Sequence, residues 1–190
     1  KYLNRKWAGR IEPHQKSKRQ RTVNQDIRIK CNMIKVFIAG ATGWAGSELS
    51  KGVFQSKEMQ LVGGISRKHK GENLSEVLNL GNGNIPIFEN IDTALAITDF
   101  DVLVEYTSPE IGKKNIIAAV KKGKSVVVGT SGLTNEDYEE IEKLAIENNT
   151  SVLAVGNFAI TVVLLQKFSE LAAKYIPNFE IIDYAHEDKK

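Results

Sequence analysis

The sequence predicts an α/β fold organised on a doubly wound parallel sheet, and two observations predict it. From Ile34 to Val155, short β-type runs alternate with helix-length segments, the pattern that parallel strands joined by crossover helices require. The first of those runs, IKVFIA at 34–39, stops at Gly40 and turns into a helix through Gly43 and Gly46. A strand that ends at glycine and enters a helix directly leaves backbone N–H groups unpaired at the helix N-terminus. Those donors, and the positive end of the helix dipole, suit a pyrophosphate. Gly40 would permit the tight turn, Gly43 the close approach of phosphate to backbone, and Gly46 the packing of helix on strand. Three glycines spaced G-x-x-G-x-x-G are a weak signature alone, so the elements around them must carry the assignment.

Taken in order, the first helix is expected over Gly43–Gln55 and a second strand over Gln60–Ile65. In a Rossmann-like sheet the end of that strand meets the adenosine ribose. A carboxylate there accepts the 2′-hydroxyl of NAD, and basic residues accommodate the 2′-phosphate of NADP. This chain has Ser66 followed by Arg67 and Lys68, which favours NADPH over NADH. A short helix over Leu74–Leu78 precedes a loop marked by Gly81 and Gly83. A short strand, Ile85–Phe88, and a short helix, Asp92–Ile97, follow. DVLVEY at 101–106 reads as a buried strand, and Pro109 suits the first turn of a helix over Glu110–Lys122. A strand over Lys124–Val128 leads into Gly129-Thr130-Ser131-Gly132, a helix over Glu136–Asn148 has an acidic exposed face, and a strand over Ser151–Val155 stops at Gly156-Asn157-Phe158. Parallel sheets bind ligands beyond the carboxyl ends of their strands. The loops starting at Gly40, Ser66, Thr107, Gly129 and Gly156 are all predicted at that edge. A helix over Thr161–Tyr175 carries an apolar stripe, Val162, Leu165, Phe168, Leu171, Ala172 and Tyr175, expected to be core or interface. A last strand, Phe179–Ala185, precedes His186-Glu187-Asp188-Lys189-Lys190 and lacks the neighbours that a strand needs.

Composition narrows the function classes. The chain of 190 residues is 42% hydrophobic and 26% charged, ordinary for a globular protein, and no apolar run approaches the ~18 residues of a membrane span. The single cysteine, Cys31, excludes an internal disulfide framework and a multi-cysteine metal site. Ten of the 26 Lys/Arg and two of the 23 Asp/Glu fall within 1–32, which leaves 16 basic and 21 acidic side chains from 33 onwards. The predicted folded part is therefore mildly acidic and gives no reason to expect nucleic acid as a partner. Residues 1–32 lack hydrophobic periodicity and are expected to be a disordered basic extension, dispensable or upstream of a natural start at Met33. The expected domains are 1–32, a dinucleotide-binding domain over 33–158, and the beginning of a truncated α+β substrate domain over 159–190.

Together these motifs resemble the 4-hydroxy-tetrahydrodipicolinate reductase family, also called dihydrodipicolinate reductase, of the diaminopimelate route to lysine. The resemblance rests on GATGWAG at 40–46, VEYTSPE at 104–110 and VVVGTSGLT at 126–134, and continues through GNFAITVVLLQKFSELAAKY at 156–175 and IIDYAHEDKK at 181–190. It implies hydride transfer from NAD(P)H to C4 of a heterocyclic dicarboxylate, with loss of its hydroxyl as water, in a cytoplasmic homotetramer. By position, Gly40, Ala41, Thr42, Gly43, Trp44 and Ala45 would line the dinucleotide, with Arg67 and Lys68 near the adenosine ribose. Gly129, Thr130 and Ser131 would lie beside the nicotinamide, and Gly156, Asn157, Phe158 and Ala159 at the mouth of the cleft. His186 matches the family's acid/base histidine, and Lys190 the lysine four residues on. Glu187 and Lys190 fall where the family binds substrate. Hydride addition builds negative charge on the substrate, so a proton donor and a cation beside it agree with that chemistry.

Three departures from the family pattern stand out. Glu187 and Asp188 are acidic where the family has histidine or arginine, Ser66 replaces a common acidic residue, and the sequence stops before the family's D-A-P-S-G-T segment. Residues 1–190 are accordingly expected to bind nucleotide without turning over substrate. Acyl-phosphate reductases share the opening G-A-T-G-x-x-G turn but need a cysteine nucleophile, and no cysteine follows Cys31. An aspartate-dehydrogenase-like enzyme of the same fold, and a non-catalytic NADP-binding module, are the alternatives that remain.

Overall fold

The computed structural model describes residues 33–155, 158–176, 178 and 180. Six parallel strands form one sheet: β1 (Ile34–Ala39), β2 (Met59–Ile65), β3 (Ile87–Phe88), β4 (Val102–Glu105), β5 (Ser125–Val128) and β6 (Val152–Ala154). Their order is β3-β2-β1-β4-β5-β6, so the chain runs outward from β1 in one direction, returns, and runs outward in the other from β4. That reversal between β1 and β4 opens a crevice at the carboxyl edge, where doubly wound sheets take ligands.

The crossover segments contain α1 (Trp44–Gln55), α2 (Leu74–Val77), α3 (Ile91–Ile97), α4 (Pro109–Lys121) and α5 (Asn135–Glu147). Alternation along β1 shows why both faces need cover. Phe37 and Ala39 point into a core with Phe100, Leu103, Ile116 and Val126, while Val36 and Ile38 point into a second core with Val53 and Leu74. Phe37 and Phe100 are fully buried and stacked with ring centroids 5.0 Å apart. Burying a side chain of this size contributes about 1.5–3 kcal/mol, so the β1–β4 centre of the sheet is also its best-anchored part.

The helices start where local chemistry tells them to. Asn90 caps α3 through a hydrogen bond from Thr93 N, and Pro109 occupies the first turn of α4. Thr134 and Asp137 form a reciprocal capping box at α5 (3.2 and 2.9 Å). Lys113 of α4 then reaches Asp137 and Glu140 of α5, each at 2.7 Å, and ties the two helices together.

The final described helix, α6 (Ile160–Ala172), differs from the others. None of its residues is buried: Leu165, Phe168 and Leu171 are 51%, 64% and 56% exposed. The apolar stripe expected to be core or interface is not core among the described residues. The strand expected at 179–185 falls almost wholly outside them, as do residues 1–32, so neither reading is addressed by the structure.

Candidate functional site

The glycine turn is built by contacts that exclude any larger residue. Gly40 has φ +82°, the left-handed region that favours glycine, and a Cβ there would lie 2.5 Å from the Tyr106 carbonyl oxygen. A Cβ on Gly46 would lie 2.0 Å from the Gly40 oxygen, so α1 rests directly on the turn that precedes it. Backbone N–H groups of Gly40 and Ala41 donate to Ile65 O (3.0 and 3.1 Å), and Thr42 Oγ1 pairs with Ser66 Oγ at 2.6 Å. The turn is thus locked to the end of β2 on one side and to the loop after β4 on the other. No side chain caps α1, and its first turn holds no acidic residue. Its terminal donors and dipole are therefore directed at an open cleft, which is what an anionic ligand needs.

That cleft has a volume of about 720 Å³ and is lined by Gly40, Thr42, Gly43, Arg67, Lys68 and the Tyr106–Ser108 loop, among others. Arg67 and Lys68 are exposed there, immediately after β2. Glu89 also lines the cleft, and Lys70 answers it with a contact of 3.1 Å. No carboxylate stands at the end of β2, where the residue is Ser66. A second hollow of about 490 Å³, between α3 and α4, is lined by Leu95, Ile117 and Lys114 and contains none of the sequence-predicted site residues.

None of the other described positions predicted from the sequence lines this cleft directly. Ala41 is buried in the core beneath the turn, Trp44 is 95% exposed at the start of α1, and Ala45 is half-buried one residue on. Gly129 and Thr130 donate their N–H groups to Glu105 O at 2.9 and 3.1 Å, which holds the loop after β5 against the end of β4. Thr130 is buried and Ser131 exposed. Gly129 lies under the Tyr106 ring, which a Cβ would overlap at 2.0 Å. Phe158 faces Tyr106 with ring centroids 6.4 Å apart, and Ala159 follows it. Gly156, Asn157, His186, Glu187 and Lys190 lie outside the described residues.

Sequence reasoning missed Glu105 as a site-forming residue, and Tyr106, Thr107 and Ser108 were marked only as part of a strand end and its loop. Glu105 is fully buried, and its carboxylate is met by donors from three segments: Thr107 N at 2.7 Å, Asn115 Nδ2 at 2.8 Å and Thr130 Oγ1 at 3.3 Å. Burial pushes this carboxyl above its ordinary range, and the hydrogen bonds from Thr107, Asn115 and Thr130 oppose that shift. Burial likewise raises Tyr106. The available signal was a lone carboxylate at the end of an otherwise apolar strand, in VLVE.

A parallel sheet in the order 3-2-1-4-5-6, with an uncapped glycine turn at its topological switch point, defines a Rossmann-like doubly wound fold. The family model described as dihydrodipicolinate reductase, N-terminus, matches residues 34–158, and the chain belongs to that family. A 4-hydroxy-tetrahydrodipicolinate reductase of Bacillus cytotoxicus is 38% identical over 156 residues, which are 82% of this chain and 59% of that protein. One from Bacillus pumilus is 40% identical over 157 residues, 83% of this chain and 58% of that protein. Among solved structures, dipicolinate-bound dihydrodipicolinate reductase from Paenisporosarcina sp. TG-14 superposes with a TM-score of 0.65 at 32% identity. It covers 77% of this chain and 56% of that one. The chain therefore spans a little under three fifths of the length of the relatives it matches.

Proposed function

We propose that this chain is the NADPH-binding part of a 4-hydroxy-tetrahydrodipicolinate reductase acting in the diaminopimelate route to lysine. The carrying observation is that the Gly40–Gly46 turn, Arg67 and Lys68 meet at one cleft with no carboxylate at the end of β2. The residues present fit a dinucleotide. The uncapped α1 terminus would take the pyrophosphate, and the glycine backbone leaves the space that its oxygens need. Arg67 and Lys68 would take the 2′-phosphate, which favours NADPH over NADH. When bound, the nicotinamide supplies the hydride that the reaction requires.

By domain, 33–158 would hold the dinucleotide and 159–190 would begin the substrate domain. The substrate is a heterocyclic dicarboxylate that accepts hydride at C4 and loses its hydroxyl as water. His186 would give the proton that the leaving hydroxyl carries away. Lys190 would hold a substrate carboxylate or developing anion, with Glu187 beside it. These roles, the homotetramer and the cytoplasmic setting are supported by the family resemblance. The mildly acidic charge from residue 33 onwards supports the absence of nucleic acid as a partner.

The test is a calorimetric titration of NADPH and NADH against the 190-residue chain, repeated with Arg67→Asp. The expected result is tighter NADPH binding, with the ratio of the two affinities narrowed about tenfold or more in the variant. Equal affinities in the parent chain would remove the 2′-phosphate reading and leave the dinucleotide site standing. Absence of binding by a folded sample would remove the site itself.

A further inference from the structure

We propose that Glu105 is a positioning residue for the nicotinamide half of the dinucleotide site: its buried carboxylate sets the loop after β4 against the loop after β5. The inference rests on the dinucleotide reading above and extends it to a residue outside the glycine turn.

Glu105 is the only ionisable side chain found fully buried among the described residues, and it closes β4 at the carboxyl edge of the sheet. Each of its side-chain oxygens has a definite partner. Oε1 accepts from Thr107 N at 2.7 Å and from the Thr107 hydroxyl, and Thr130 Oγ1 lies 3.3 Å away. Oε2 accepts from Asn115 Nδ2 at 2.8 Å, and Asn115 is itself buried in α4. One carboxylate therefore joins the loop after β4, the loop after β5 and the body of α4. Gly112 of α4 packs against the same cluster, and a Cβ there would stand in ordinary contact with Glu105 Cγ at 3.5 Å and Thr130 Cγ2 at 3.4 Å.

The position in the fold gives this cluster its function. A doubly wound sheet binds a dinucleotide as two mononucleotide halves across the switch point. The β2 side, with Arg67 and Lys68, takes the adenosine half, which leaves the β4–β5 side for the nicotinamide half. Tyr106, Thr107 and Ser108 line the cleft on that second side, and Glu105 lies directly beneath them. Glu105 does not itself line the cleft. Its effect is on where Thr107 and the Tyr106 ring sit, and a buried N–H that loses its acceptor must move or go unpaired. Held in place, the loop needs no reordering when the ligand binds.

The two halves can be separated with ligands. NADPH contacts both sides, whereas adenosine 2′,5′-bisphosphate contacts only the β2 side. Titrating both against the 190-residue chain by calorimetry gives a ratio of affinities that a general loss of stability would not change selectively. For Glu105→Met, which keeps the length and removes every acceptor, NADPH binding is expected to weaken by about tenfold. Adenosine 2′,5′-bisphosphate binding is expected to stay within about twofold. Glu105→Gln is expected to restore most of the NADPH affinity, because its amide oxygen can still accept from Thr107 while Asn115 turns its own oxygen towards the new NH2. An unchanged ratio in Glu105→Met overturns the inference, as does an equal weakening of both ligands. If Glu105→Met fails to fold, Asn115→Leu takes its place, since it strips Oε2 of its donor from outside the cleft. A lower ratio then supports the inference and an unchanged one overturns it. Failure of the parent chain to bind either ligand is a different result, and it removes the dinucleotide reading on which this inference stands.

Discussion

Two glycines of α1 separate backbone crowding from helix propensity. Gly46 has Gly40 O, Gly40 C and Ala41 Cα within 2.0, 2.8 and 3.2 Å of where a Cβ would be, and all three are backbone atoms that cannot rotate away. Gly52 in the same helix has nothing within 4 Å. Gly46→Ala must therefore push α1 off the turn. It is expected to destabilise the domain by about 1–3 kcal/mol and to weaken NADPH binding. Gly52→Ala relieves only the entropic cost of glycine in a helix and is expected to stabilise by about 0.5–1 kcal/mol with binding unchanged. Thermal melts with parallel titrations check both, and equal behaviour of the two variants would contradict this account of the turn. Gly46 was legible in the sequence because its spacing from Gly40 encodes the contact. Glu105 was not, because two of its partners, Asn115 and Thr130, stand 10 and 25 residues further along the chain, and only the packing of α4 on β4 and the β4–β5 pairing bring them to it. The Thr42–Ser66 hydrogen bond escaped for the same reason, since it joins the ends of two strands 24 residues apart.

At the scale of elements, strands and helices were legible wherever periodicity reflects burial on a known face. β1, β4 and β5 are covered on both sides, so they read as apolar runs; the predicted range of β1 matches the observed one, and those of β4 and β5 differ only at the ends. Ion pairing at the opposite edge of the sheet was not legible. Asp99, just before β4, accepts from Lys35 of β1 at 2.8 Å and from Lys124, just before β5, at 3.0 Å. Hydrogen bonds from Lys35 and then Lys124 hold its carboxyl down at about 2. A carboxyl depressed below its unfolded value of about 3.9 stabilises the fold above that pH, and the contribution disappears as the pH falls through the folded value. Asp99→Asn is therefore expected to melt slightly earlier than the parent at neutral pH and to converge with it as the pH falls from about 5 to about 2. Because Asp99 is exposed and the two lysines are only partly buried, the gap is expected to be small and to shrink in high salt. Melting curves across that pH range check it, and a gap that widens in acid would contradict the sign.

For the molecule as a whole, α6 separates what holds the six-stranded sheet and its helices together from what the apolar stripe is for. Periodicity tells which face of a helix is apolar, but not what covers it, and here the described part of the chain leaves that face open. Leu165 and Phe168 remain about half to two thirds exposed, at 51% and 64%, whereas Leu103 of β4 and Ile116 of α4 are fully buried. Stability of the sheet should depend on the second pair and hardly at all on the first. Leu103→Ala or Ile116→Ala is expected to cost about 2–5 kcal/mol through lost burial and the cavity left behind. Leu165→Glu with Phe168→Lys is expected to leave the main unfolding transition within about 0.5 kcal/mol of the parent, as exposed substitutions generally do. The double variant should differ instead in association, because exposed apolar stripes of this kind draw chains together. Sedimentation across a concentration series, run beside the thermal melts, reads both effects at once. If the α6 substitutions lowered the main transition as far as the core substitutions do, α6 would have to be counted as part of the core that covers the sheet.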